Sequence, residues 1–123
     1  MRQPETSAGR RRLLYEEAVA VIQRRYADER LTVTDVSQNI FSSRRQLQRS
    51  FAEAGTSVRE TLHAIRMQRA AEMLADSALP VAEIARRVGY REPTQFTKAF
   101  RRYYGMPPSE WRERREPQLG AVA

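Results

Sequence analysis

Arg45, Gln48 and Arg49 stand three and four residues apart, and Thr94 and Gln95 stand four and three residues before Lys98. On a helix those spacings put side chains on one face. Arginine can hold guanine, and glutamine adenine, through paired hydrogen bonds worth about 1–3 kcal/mol of discrimination each. These six residues are therefore candidates for reading base edges. Ser43, Arg44, Thr97, Arg101 and Arg102 flank them and suit phosphate oxygens. The residues for bond-making chemistry are missing from the pattern. The chain has no cysteine and a single histidine, His63, which has no second ligand or nucleophile nearby in sequence. It carries no phosphate loop, metal cluster or catalytic triad. It reads as a non-enzyme that needs no cofactor and no metal.

Each polar face needs an apolar stripe behind it. Leu47, Phe51 and Ala54 supply the first, ending at Gly55, and Phe96, Ala99, Phe100 and Tyr103 supply the second. A shorter helical pattern precedes each. Val33, Val36 and Ile40 follow Thr32, which has Asp35 three residues on, close to a capping box. Val81, Ile84, Ala85 and Val88 run up to Gly89. Two short helices meeting at a tight turn form a helix-turn-helix pattern, and the chain contains it twice. Leu31, Val33, Asp35, Val36, Ser37 and Ile40 match Leu79, Val81, Glu83, Ile84, Ala85 and Val88 at a spacing of 48. Leu47, Arg49 and Phe51 match Phe96, Lys98 and Phe100 at 49.

The remaining elements join and close these units. Leu14, Ala18, Val21 and Ile22 mark a first helix over about Arg10 to Tyr26. Positive charge from Arg10, Arg11 and Arg12 opposes the dipole of its first turn, so those residues stand either near DNA or in solvent. Ser57, with Glu60 three residues later, starts the longest helical run, in which Arg66 and Arg69 are a tie between units, a backbone contact, or solvated. Pro108 to Arg115 forms a last helix, with Trp111 closing the second core. The expected organisation is a disordered tail at 1–9, a first helix-turn-helix subdomain at 10–56, a linker helix at 57–76, a second subdomain at 77–116 and a frayed end at 117–123.

Composition bounds the partner. Of 123 residues, 22 are basic and 15 acidic, a formal charge of +7, and every basic residue except Lys98 is arginine. Arginine favours bidentate phosphate and guanine contacts, which points to a nucleic acid, although arginine also follows from a GC-rich coding sequence. Two repeated groove-sized helices suit B-form DNA better than RNA, whose deep major groove excludes side chains. The apolar runs are too short to cross a bilayer, and no signal-peptide core follows Met1, so the expected compartment is the cytoplasm. The alternative reading is a helical protein-interaction module, an adaptor or polymerase-binding factor with only non-specific DNA affinity.

Residues from about Leu31 to Arg112 resemble the DNA-binding domain of the AraC/XylS family of bacterial transcription regulators. The resemblance is carried by Ile84, Ala85, Gly89, Tyr90, Phe96, Lys98, Phe100, Gly105, Pro108, Trp111 and Arg112, and by Leu62 with the run Arg66, Met67, Gln68, Arg69, Ala70. It implies an all-α fold of seven helices, with two helix-turn-helix subdomains joined by a long linker helix. It also implies two recognition helices in successive major grooves, transcription activation through contact with RNA polymerase, and a place at the bacterial nucleoid. By position, the recognition helices correspond to Ser43–Ala54 and about Pro93–Tyr104, which adds Pro93 to the residues facing the DNA backbone. Most family members carry a separate effector-binding or dimerisation domain. The chain resembles either a stand-alone member or the DNA-binding part of a longer one. Two departures fall in the first unit. Phe41 stands where the turn usually has glycine, and the segment from Phe51 to Gly55 is one residue short.

Overall fold

The computed structural model describes residues 7–122, with side chains through residue 115. Seven α-helices follow one another among the described residues: α1 (Ser7–Arg25), α2 (Val33–Asn39), α3 (Arg44–Glu53), α4 (Val58–Asp76), α5 (Val81–Arg87), α6 (Pro93–Tyr104) and α7 (Pro108–Val122). The all-α architecture of seven helices, with two helix-turn-helix units, is the one the sequence implies. The chain divides into two compact units inside α4. Residues up to Tyr26 and from Arg30 to Ala64 form the first, and residues 27–29 and 65 onward form the second.

Local chemistry starts these helices. Thr32 accepts from the Asp35 amide at 3.1 Å while Asp35 Oδ2 accepts from the Thr32 amide at 3.0 Å, a complete capping box. Ser43 Oγ accepts from the Gln46 amide at 3.1 Å and caps α3, and Ser57 Oγ accepts from the Glu60 amide at 3.0 Å ahead of α4. Prolines begin α6 and α7, where a missing N–H costs nothing. Helix α6 ends at Gly105 in the left-handed region, φ 82°.

In the first unit α1 lies against α2 and α3. Ala18, Val21 and Ile22 from α1 are buried there, as are Leu31, Val36, Leu47, Phe51 and Val58. Tyr15 meets Phe51 edge-on at 4.9 Å between ring centroids. In the second unit Met67, Ala70 and Leu74 of α4, Ile84, Ala85 and Val88 at α5, and Phe96 and Phe100 of α6 are buried. Aromatic rings extend that core: Phe100 lies 4.7 Å from Tyr104 and 6.0 Å from Trp111. Trp111 thus joins the core the sequence assigns to it.

The helix ends differ from the sequence reading in two places. Helix α1 begins at Ser7 rather than Arg10, and Gly9, the last residue of the expected tail, is carried inside it at a cost of about 1 kcal/mol. Helix α7 runs past Arg115 to Val122. Of the expected tails, residues 1–6 lie outside the described residues, as do the side chains beyond residue 115.

Candidate nucleic-acid interface

Helix α3 buries Leu47, Ser50 and Phe51 and holds them against the first core. At about 100° per residue, Arg45, Gln48 and Arg49 then fall on the opposite side. All three are exposed, as are Ser43 and Arg44 at the start of the helix. Helix α6 repeats the arrangement. Phe96 and Phe100 face inward, and Thr94, Gln95, Lys98, Arg101 and Arg102 are exposed, with Pro93 exposed at the first helical position. Thr97 sits at the edge of the buried stripe and is half-buried.

The cations of the two faces are uncommitted. Among the described residues, no hydrogen bond or ion pair engages the side chains of Arg44, Arg45, Arg49, Lys98, Arg101 or Arg102. Several arginines elsewhere meet carboxylates. Arg11 pairs with Glu53, Arg12 with Glu16, Arg69 with Glu72, and Arg114 with Glu110. Glu83 receives both Arg86 and Arg87, each at 3.0 Å. The Arg87 hydrogen bond, with Arg86 beside it, holds the Glu83 carboxyl below the usual carboxylate range. Arg91 reaches Glu29 at 2.9 Å through Nη2 and 3.2 Å through Nε. The open depression lined by Glu29, Arg86, Arg87, Tyr90 and Arg91 is therefore already charge-compensated.

Helices α3 and α6 begin differently. Ser43 caps α3, so its side-chain oxygen is committed to the Gln46 amide and only its O–H is free to meet a phosphate. Ser42 Oγ, which donates to Gln46 Oε1 at 3.0 Å, ties Gln46 to the turn as well. Glu92 stands at the cap of α6 with no side-chain hydrogen bond, and Pro93 has no N–H. The amides of Thr94 and Gln95, second and third in α6, thus receive no acceptor from the cap.

Several ties have no signal in local sequence. Arg66 Nη2 donates to the Asp28 carbonyl at 2.8 Å, and its guanidinium lies 5.7 Å from the centre of the Tyr90 ring. Burial lowers the Arg66 pKa, with Tyr90 and Asp28 opposing, and burial raises that of Tyr90. Arg112 Nε donates to the Leu74 carbonyl at 3.1 Å, near the end of α4. Arg11, open between DNA and solvent on sequence grounds, is a structural tie from α1 to the last residue of α3.

Residues 36–114 match the model of the helix-turn-helix domain family, well over half of the chain. The chain belongs to the AraC/XylS-type helix-turn-helix DNA-binding domains. It is 40% identical over 83 residues to an uncharacterized HTH-type transcriptional regulator of Mycobacterium tuberculosis, Rv1395, covering 68% of this chain and 24% of that protein. An AraC-type transcriptional regulator of Chromobacterium violaceum superposes with a TM-score of 0.78 at 26% identity, covering 84% of this chain and 92% of that one. The DNA-binding domain of AdpA, solved in complex with a target DNA, superposes with a TM-score of 0.78 at 27% identity, covering 85% and 94%. The chain spans about a quarter of the length of the first curated relatives it matches. Among the described residues no group of His, Cys, Asp and Glu could hold a metal ion, and no helix is long and apolar enough to cross a membrane.

Proposed function

We propose that this chain binds double-stranded DNA in a sequence-specific manner and regulates transcription, as an activator, with one recognition helix from each unit entering a major groove. The single observation that carries the reading is the pair of uncompensated cationic faces on α3 and α6, in a protein whose other arginines are largely paired. The similarity to the AdpA domain solved on DNA supports it. Base contacts are assigned to Arg45, Gln48 and Arg49 on α3 and to Thr94, Gln95 and Lys98 on α6. Backbone contacts are assigned to Ser43, Arg44, Pro93, Thr97, Arg101 and Arg102. Pro93 offers van der Waals contact alone, since it cannot donate.

Contact with RNA polymerase and association with an effector-binding or dimerisation domain belong to the same proposal. The curated relatives extend well beyond the matched region, which leaves room for such a domain in proteins of this kind. The test is selection from a randomised duplex pool. A two-part motif should be enriched and should be lost on changing either face. Equal retention of all duplexes would favour the interaction-module reading.

A further inference from the structure

We infer that Phe41 is a specificity-determining contact of the first unit, seating its ring on the C5-methyl group of a thymine beside the bases read by α3. The inference rests on the DNA-binding reading and deepens it. Phe41 is the one non-glycine residue with positive φ among the described residues, at 55°. That is a left-handed backbone that a bulky L-residue rarely adopts. Its ring is also 97% exposed, so it contributes no packing to the fold.

The second unit shows that the turn does not need it. In the first turn the Phe41 amide donates to the Gln38 carbonyl at 3.2 Å and the Ser42 amide to the Ser37 carbonyl at 2.9 Å. In the second, 48 residues on, the Gly89 amide donates to the Arg86 carbonyl at 3.1 Å and the Tyr90 amide to the Ala85 carbonyl at 2.9 Å. The hydrogen-bond pattern is the same, and there glycine occupies the left-handed position, with φ 97°. A ring that strains the backbone and lies in water gains its favourable contacts from something outside the chain.

The surroundings select the partner. Phe41 lies two residues before the cap Ser43, and the exposed, unpaired Arg44 and Arg45 follow directly. Among the described residues the other exposed large apolar side chains are Leu13 and Tyr103, on α1 and α6, so α2, α3 and their turn offer no apolar patch for a protein. A lone ring bordering cations fits a polyanion that carries isolated methyl groups. In the major groove the thymine C5-methyl is that group.

The experiment combines a change in the protein with a change in the DNA. The wild-type 123-residue protein, Phe41→Gly and Phe41→Asn are compared on the duplex selected by the wild type and on versions in which single thymines become uracil. Both replacement residues tolerate positive φ, and thermal denaturation should show both folded, with the glycine variant at least as stable as the wild type. Both should bind the selected duplex about three- to tenfold more weakly. One uracil replacement should weaken the wild type by a similar factor and leave both variants unaffected. Wild-type affinity in the folded variants would overturn the inference while leaving the DNA reading intact, and so would a uracil penalty equal for all three proteins. Self-association of the wild type that disappears in Phe41→Gly, with DNA affinity unchanged, would assign the ring to a second copy and also overturn it. Failure of the wild type to enrich any motif would sink the DNA reading, and this inference with it.

Discussion

The two helix-turn-helix units share a backbone plan and assign its positions differently. The left-handed turn residue is Phe41 in the first and Gly89 in the second. The next residue, Ser42, ties Gln46 to the first turn through its hydroxyl, whereas Tyr90 lies half-buried with its ring 5.6 Å from Phe96. The second unit thus turns its aromatic inward and leaves the strained position to glycine. The first turns its aromatic outward and holds the turn with serines. The second turn is also one residue longer, because the caps Ser43 and Glu92 lie 49 apart while the starts of α2 and α5 lie 48 apart. Hydrogen-bond geometry therefore specifies the turn, and side chains are free to differ wherever they do not fill a core.

The comparison makes claims about charge that salt can test. Each recognition helix carries three unpaired cations, Arg44, Arg45 and Arg49 on α3 and Lys98, Arg101 and Arg102 on α6. If six to ten phosphates are neutralised overall, raising salt from 50 to 200 mM should weaken binding by roughly 10³ to 10⁵. Changing the backbone-assigned cations to alanine, Arg44 on α3 and Arg101 with Arg102 on α6, should reduce the slope of log affinity against log salt by about 1 and about 2 respectively. A reduction at α3 as large as that at α6 would show that Arg45 or Arg49 meets phosphate rather than a base.

The cores come next in size. Phe51→Ala and Phe100→Ala should each destabilise the protein by about 3–5 kcal/mol in urea unfolding. Phe100, in contact with Phe96, Tyr104 and Trp111, should lie at the upper end, and Phe51, facing Tyr15, lower. The reverse order would mean that the aromatic cluster repacks around the cavity.

Arg49→Ala and Lys98→Ala should each weaken binding to the selected site by about 1–3 kcal/mol, with circular dichroism and melting unchanged. Folded variants with an unaltered motif would remove those two residues from the readout. The smallest effect concerns the turns. Gly89→Ala should cost about 1–2 kcal/mol of stability in thermal melting, because alanine at φ 97° meets the left-handed penalty that Phe41 already bears. A neutral result would show that the second turn can relax.

Much of this was legible in the residue pattern. The 48-residue register of α2 and α5, the Thr32–Asp35 box and the inward Phe51, Phe96 and Phe100 all follow from short-range periodicity and capping, which act over a few residues. The candidate faces emerged the same way, as the sides left over once the apolar stripes turn in. Contacts across long separations were not legible. The Asp28 carbonyl beneath Arg66, 38 residues away, and Glu29 opposite Arg91, 62 away, depend on where a loop lands after folding. The role of Arg11 was hidden for the same reason, since Glu53 is distant in sequence and near only once α1 lies on α3. The first turn of α1, from Ser7, was not legible because it carries no apolar residue of the stripe that marks the rest of the helix.

The unequal starts of α3 and α6 also affect solvent. Ser43 takes the place of water at the third amide of α3, that of Gln46, whereas Glu92 and Pro93 leave the Thr94 and Gln95 amides to be hydrated. Those two amides should exchange their hydrogens quickly while the Gln46 amide exchanges slowly. A molecule arriving at α6 would meet a Gln95 amide with no acceptor from the cap, at the position where α3 has its Gln46 amide already taken.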